Sequence, residues 1–128
     1  MFNKAVLLGR LTKDPEVRQF TGGKLANLSV ATSESFKDKE TGEYKDKSEF
    51  HNVTVFGEGI TGYIARNLRK GDTVFIAGKI ETRSYEKYGV KKFTTPIIIQ
   101  GPQHTLKKVG GGAAHDKRED EVGDHIPF

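Results

Sequence analysis

Cysteine and tryptophan are both absent from the 128-residue chain, and no long apolar run occurs in it. The lack of cysteine excludes a disulfide framework, a thiolate metal site and a cysteine nucleophile, and it fits a reducing cytoplasm. No apolar stretch approaches the ~18 residues that a membrane helix needs, and the N-terminal one stops at Arg10, too soon for a signal peptide. We therefore expect a cytoplasmic protein with no membrane partner.

The charged residues are distributed unevenly along the chain. Residues 109–128 hold five acids and two bases, which leaves 19 bases and 12 acids in residues 1–108. The body is therefore basic, at +7, and the tail is acidic, at −3. A basic body favours a polyanionic partner, although a solvated surface with a solubilising tail would have the same composition.

Composition also divides the chain after residue 108. Residues 110–114 are all glycine and alanine and predict a flexible linker, and residues 115–125 are too polar to fold by themselves. We predict a folded domain over residues 1–108 and a flexible acidic tail over residues 109–128. Its last residues, Ile126-Pro127-Phe128, are abruptly apolar, which is typical of a short peptide that docks in a partner's pocket.

Hydrophobic periodicity predicts five main strands and one helix. The spacing of Ile60, Tyr63 and Ile64 indicates the helix, and a polar, lysine-rich run over 37–47 indicates an exposed hairpin finger. The first strand is mostly apolar, so both of its faces should be covered, and Pro96 places the last main strand at a sheet edge. The predicted elements are strands over 4–11, 24–33, 48–56, 73–85 and 93–100, a helix over 58–70, a second basic hairpin loop over 86–92 and a short final strand over 104–109.

This order of elements is that of an OB-fold. An OB-fold is a five-stranded Greek-key barrel, here with one helix between strands three and four, and it binds oligonucleotides on the face of strands two and three and in its loops. The sequence therefore predicts an all-β OB-fold domain followed by a disordered acidic tail.

The third predicted strand has two unlike faces. Val53 and Val55 point one way, and Phe50 and Phe56 point the other way among polar residues, because successive side chains alternate in a strand. Either the valines or the rings face the core, and this strand alone favours neither interpretation. The OB-fold arrangement favours rings on the outer, ligand-binding face, where they can stack on nucleobases.

A glycine pattern and four histidines offer no catalytic or cofactor site. Gly57, Gly59 and Gly62 match G-x-G-x-x-G, but repeated βαβ units are lacking, so these glycines are predicted to serve a tight turn and close helix packing. No two histidines have metal-ligand spacing within one element, and no catalytic constellation stands out. We expect no metal, no cofactor and no enzymatic activity, and His51 is predicted to be packed or to lie at an interface.

Aromatic and basic residues together form the remaining signal. Rings predicted on strands two, three and four are surrounded by cations, a combination that stacks the bases and neutralises the phosphates of a single strand. No rigid helix is set up to enter a major groove, so duplex reading is not expected. The predicted stacking residues are Phe36, Phe50, Phe56 and Tyr85, and the predicted phosphate contacts are Lys37, Lys39, Lys45, Lys47, Lys79, Arg83, Lys87, Lys91 and Lys92.

Several short motifs stand in order along the body and the tip. They include Asp14-Pro15-Glu16-Val17-Arg18, Ala31-Thr32-Ser33-Glu34-Ser35-Phe36, Glu49-Phe50-His51, Leu68-Arg69-Lys70-Gly71 and Asp124-His125-Ile126-Pro127-Phe128. These motifs resemble those of the bacterial, or phage-encoded, single-stranded DNA-binding proteins.

The resemblance implies an OB-fold homotetramer that wraps single-stranded DNA without sequence preference in the nucleoid. It implies that the four predicted rings stack on bases and that His51 lies near the subunit interface. It also implies that the tip, Asp124 to Phe128, docks replication, recombination and repair proteins.

The chain departs from this family's usual pattern in three places. The family usually carries tryptophan where Phe36, Phe50 and Tyr85 stand, its linker is longer, and an acid usually stands where this chain has His125. These departures predict weaker stacking, altered cooperativity between tetramers and weaker or pH-dependent docking.

Two alternative functions remain. One is an RNA-binding OB module, which would prefer single-stranded RNA over DNA of equal length. The other is a primosome-accessory module, which the acidic tail disfavours.

Overall fold

β-Strands dominate the computed structural model, which describes residues 1–111. The predicted linker and tail therefore lie almost wholly outside the described residues, but the last strand reaches Gly110, two residues past the predicted end of the domain. The elements are β1 (Ala5–Leu11), β2 (Glu16–Phe20), β3 (Gly23–Lys37), β4 (Tyr44–Phe56), α1 (Glu58–Asn67), β5 (Thr73–Ile80), β6 (Arg83–Lys87), β7 (Val90–Thr94), β8 (Ile97–Ile99) and β9 (Thr105–Gly110).

Five strands close into a barrel. They follow the order β1-β3-β4-β8-β5, and β5 pairs back onto β1. The pair β4–β8 is parallel and the other barrel pairs are antiparallel. With α1 placed between β4 and β5, this arrangement confirms the predicted all-β OB-fold. Around the barrel, β2 extends the sheet beside β3, β9 pairs with β5, and β6 and β7 form a separate two-stranded hairpin.

Aliphatic side chains from alternate strand positions fill the barrel. Val53 and Val55 of β4 and Ile76 of β5 are almost fully buried, and burial of one such side chain contributes roughly 1.5–3 kcal/mol. Ile64 of α1 and Leu68, which follows the helix, belong to the same cluster. The helical stripe predicted from the sequence therefore packs against the barrel core.

The helix ends earlier than its apolar spacing predicts. Its last residue is Asn67, and Leu68 already has extended backbone, with φ −105° and ψ 135°. The guanidinium of Arg69 donates to the carbonyls of Ala65, at 2.8 Å, and Leu68, at 2.7 Å. A cation thus satisfies carbonyl groups at the C-terminal end of this helix, where positive charge is favoured.

Two expectations about strands are wrong. β1 is not covered on both faces, because Val6 is 55% and Leu8 is 39% exposed on the side away from the core. Pro96 does not mark an edge, because β8 lies between β4 and β5 and Pro96 precedes its first residue, where no ladder hydrogen bond is lost. The strands predicted over 73–85 and 93–100 are each divided in two, which frees the β6–β7 hairpin from the barrel.

The barrel closes where glycines allow two backbones to meet. A Cβ atom on Gly9 would lie 2.4 Å from the carbonyl oxygen of Ala31, where β1 crosses β3. A Cβ atom on Gly78 would lie equally close, at 2.4 Å, to the carbonyl oxygen of Ile98, where β5 approaches β8. Because a backbone cannot move aside as a side chain does, both contacts require glycine.

We predict that Gly78→Ala lowers the free energy of unfolding by about 1–3 kcal/mol, because the added methyl group overpacks the junction of β5 and β8. Gly59→Ala is the matched control, since a Cβ atom at this position in α1 meets nothing within 4 Å. The control should keep or raise stability, by up to ~1 kcal/mol. Urea unfolding followed by circular dichroism measures both, and equal stabilities would contradict the close approach.

Candidate nucleic-acid interface

The pleat of β4 separates the side chains from Phe50 to Phe56 onto two faces. Val53 and Val55 are 1% and 0% exposed, whereas Phe50 is 69% exposed. The valines therefore face the core, which confirms the interpretation that places the rings outside. We call the face that carries Phe50 and Phe56 the outer face of the β3–β4 ribbon. On this face, Ala31 of β3 pairs with Phe50 and Leu25 of β3 pairs with Phe56.

Short polar side chains form cross-strand pairs on the outer face, one on each side of Phe50 along the ribbon. The Thr54 hydroxyl donates to the Asn27 amide oxygen at 3.2 Å, and the hydroxyls of Ser33 and Ser48 are 2.9 Å apart across the two strands. These cross-strand pairs hold the ribbon together without adding bulk. A flat ligand can therefore reach the Phe50 ring.

Phe56 is less open than Phe50, because two other side chains contact its ring. The Phe20 ring meets it edge to face, with centroids 6.2 Å apart and planes at 85°. The Arg83 guanidinium lies 5.9 Å from the Phe56 centroid, within the range of a cation–π contact. The structure thus brings together Phe56 and Arg83, which were both predicted, and adds Phe20, which was not.

Phe36 lies on the other face of the ribbon. It pairs with Lys45, one position out of phase with Phe50 and Phe56, so its side chain leaves the opposite side of the pleat. Its ring is 47% exposed and stays accessible. The four predicted rings therefore do not share one surface, and a strand that touches Phe36 and Phe50 must pass around the ribbon.

The β6–β7 hairpin carries the fourth predicted ring and one that was not predicted. Tyr85 is 49% exposed and pairs with Lys92 on one face, while Phe93, 66% exposed, lies on the other. The tip falls at Tyr88-Gly89, within the hairpin loop predicted over 86–92, and both residues have positive φ, 55° and 74°. Lys91 lies 5.7 Å from the Phe93 ring centroid, so both faces combine a ring with a cation.

Nine basic residues are predicted to contact phosphate, and four of them lie beside carboxylates. Exposed ion pairs of this kind contribute at most about 1 kcal/mol, so a phosphate can replace the carboxylate. The pairs are Lys45–Asp38 at 2.9 Å, Lys47–Glu49 at 4.0 Å, Lys79–Glu81 at 3.6 Å and Arg83–Glu81 at 3.1 Å. The other five, all exposed, are Lys37, Lys39, Lys87, Lys91 and Lys92.

Asp38 holds the turn that joins β3 to β4. The Lys45 ammonium, and next the backbone N–H of Glu40, hold the pKa of the Asp38 carboxyl below its ordinary value. Because the pKa is lowered in the folded state, the interaction is present at neutral pH and is lost as the pH falls through that lowered pKa. The turn is confined to residues 38–43, since both ends of the predicted finger, residue 37 and residues 44–47, belong to β3 and β4.

His51 lies on the face opposite Phe50. Its Nε2 atom is 2.9 Å from the Thr32 hydroxyl, and the ring is partly buried. No group of three or more metal-ligating side chains is assembled among residues 1–111. Within the same part of the chain, no helix has the length and apolarity to span a membrane. The predicted partner-binding residues, Asp124 to Phe128, lie outside the described residues.

Comparison with known proteins bears directly on this surface. The family model described as single-strand binding protein family matches residues 2–105, most of the chain. The chain belongs to the single-strand binding protein family.

Two solved structures of single-strand binding proteins have the same architecture. One is the Plasmodium falciparum SSB in complex with ssDNA, which is 33% identical with a TM-score of 0.77, over 85% of this chain and 96% of that one. The other is a deletion mutant of the Thermus aquaticus single-stranded DNA binding protein, which is 27% identical with a TM-score of 0.69, over 86% of this chain and 51% of that one.

In this member of the single-strand binding protein family, the sequence did not predict three residues of the candidate interface, two on the outer face and one on the β6–β7 hairpin. Arg10 of β1 pairs with Ala31, which pairs with Phe50, so a cation lies in the same row as the exposed ring. Phe20 and Phe93 are exposed rings on strands that were not expected to carry the site. Only Phe93 had a sequence signal, since it adjoins the basic pair Lys91 and Lys92.

Proposed function

We propose that this protein binds and protects single-stranded DNA, without sequence preference, along the outer face of the β3–β4 ribbon and the β6–β7 hairpin. The observation that carries the proposal is the 69% exposure of Phe50 on a sheet whose opposite face is packed with aliphatic side chains. Membership of the single-strand binding protein family and similarity to a relative solved with ssDNA support it. The proposed role is binding, without catalysis.

Base stacking and charge neutralisation each contribute to the proposed affinity. Every base has a π-face, so a ring such as Phe50 accepts any base, at roughly 1–3 kcal/mol for each one stacked. Lysine and arginine neutralise phosphates and release counterions, which adds affinity that does not depend on sequence. A single-stranded RNA target is the alternative, and family membership favours DNA.

We predict that Phe50→Ala weakens binding of oligo-dT by about 1–3 kcal/mol, while Phe50→Tyr, which keeps the ring, binds as the wild type does. Fluorescence anisotropy of a labelled oligonucleotide measures the affinity, and thermal melting verifies that both variants fold. Neither substitution removes a charge, so the fall of log affinity with log salt should keep its slope. Unchanged affinity in Phe50→Ala, or tighter binding of RNA than of DNA of equal length, would contradict the proposal.

We further infer that the protein acts as a homotetramer, and β1 supplies the structural support. Within residues 1–111, the edge of Ala5–Gly9 that faces away from β5 has no partner strand, because β3 pairs only with the last two residues of β1. Val6 and Leu8 project from the same segment with exposed apolar side chains. An open, apolar edge is a template for pairing with another chain. We include in this proposal the prediction that His51 lies near the subunit interface.

We predict that Val6→Asp shifts the protein to smaller species in native mass spectrometry. The charge would be buried without a partner if β1 lies in an interface. Val90→Asp is the control, because Val90 is equally exposed, 56% against 55% for Val6, but lies on the hairpin. The wild type and the control should have four times the 14.2 kDa chain mass, and a single-chain wild-type mass would contradict the inference.

We also propose that the tip, Asp124 to Phe128, docks proteins of replication, recombination and repair. The five acids of residues 109–128 are repelled by DNA phosphates, so this segment does not belong to the DNA site. Ile126 and Phe128 offer apolar anchors and Asp124 offers a charge, a combination that suits a small apolar pocket with a basic rim.

We predict that deletion of residues 124–128 abolishes capture of such partners, while affinity for oligo-dT stays equal or rises slightly at low salt, because negative charge is removed. The control carries the same five residues in scrambled order, which keeps composition and charge. Pull-down with purified replication proteins and anisotropy with oligo-dT give the two readings. A truncated protein that keeps its partners but loses DNA would show that the roles of body and tail are reversed.

A further inference from the structure

A cleft of about 440 Å³ opens at one end of the outer face. Its size is in the range of pockets that hold small ligands, ≈ 300–1,000 Å³. The rings of Phe20 and Phe56 form part of its wall. Glycines line much of the rest, so the backbone is bare and a ligand can approach it closely. The lining also includes the charged side chains of Lys24 and Glu58 and the amide side chain of Gln100.

The cleft continues the surface to which Phe50 belongs. Phe20 pairs with Gly23 at the end of the β2–β3 hairpin, and Gly23 shares a face with Leu25, which pairs with Phe56. Phe20 and Phe56 are therefore on the outer face of the sheet, further along the ribbon from Phe50. A strand that follows β4 from Phe50 to Phe56 covers six residues, about 20 Å, and arrives at the cleft.

The Phe20 ring is not needed for the core. All five residues of β2 are exposed, and Phe20 itself is 43% exposed. The ring packs against the backbone of the tight turn after it, since a Cβ atom on Gly22 would come within 2.8 Å of the ring. An apolar ring held at a cleft in this way exposes a face that water solvates poorly and a flat ligand covers well.

Charge around the cleft favours a base inside it and a phosphate outside. Lys24 lines the cleft, and the Arg83 guanidinium lies over the adjoining Phe56 ring, so phosphates are attracted to its rim. The Glu58 carboxylate also lines the cleft and repels a phosphate that enters. Glu58 and Gln100 can instead hydrogen-bond to the edge of a base.

We propose that this cleft receives one base of the bound single strand, stacked on Phe20, with the neighbouring phosphate at Lys24. This inference rests on the proposed function, because it places the end of the same DNA path, and it assigns Phe20 as a fifth stacking residue. Stacking on the Phe20 ring adds affinity that the exposed rings further along the surface do not supply.

Three variants of the full-length protein test the cleft with oligo-dT as the probe. Phe20→Ala should weaken binding roughly five- to a hundredfold, Phe20→Tyr should restore it, and neither should alter the salt slope. Lys24→Met should instead lower the slope by ~0.7. In parallel, oligo-dT carrying one 5-iodouracil is cross-linked to the wild type by light, and the peptide that contains Phe20 should be among the labelled peptides.

The outcomes separate this inference from the function on which it rests. If Phe50→Ala loses affinity while Phe20→Ala binds as the wild type does and no label reaches the Phe20 peptide, the cleft is empty of DNA and only this inference fails. If the wild type itself does not bind oligo-dT, the proposed function fails. The cross-link is read on the wild type, so it decides the matter even where Phe20→Ala does not fold.

Discussion

Successive side chains of β4 point to opposite faces, and this alternation determines which residues the outer face exposes. Val53 and Val55 are required inside, because they meet the core side chains of β3, β5 and β8 across a closed barrel. The pleat then sends Phe50 outward whether or not a ligand is present. Burial of the valines stabilises the fold. The same burial keeps the Phe50 ring exposed to solvent and preorganised for a flat partner.

Closure of the barrel and the electrostatics of its surface build on this alternation. Gly9 and Gly78 let the strands cross at short distance, so the five-stranded barrel closes. The helix α1 then covers core residues rather than the outer face. On the outside, lysine and arginine are partly engaged by Asp38, Glu49 and Glu81. These exposed pairs are weak, so a phosphate can compete with the acids for the same cations.

Much of the fold could be predicted from the sequence, because periodicity reports which side chains face a core. The helix, the barrel strands and the tip at Tyr88-Gly89 all have local signals. The register of the β3–β4 hairpin does not, since it depends on a turn whose length the polar run conceals, and this register decides that Phe36 and Phe50 leave opposite faces. The place of Phe20 beside Phe56 likewise depends on pairing between strands, which sequence spacing does not report.

The proposed binding mode has two parts, in which rings on the outer face stack on bases and cations neutralise phosphates. The most direct test titrates oligo-dT and an abasic strand of equal length against the protein over a range of salt concentrations. We expect parallel lines of log affinity against log salt, because both strands share the phosphate contacts. The abasic line should lie lower by the stacking contribution, about 1–3 kcal/mol per engaged base. Coincident lines would show that the rings do not touch the bases, which would contradict this binding mode.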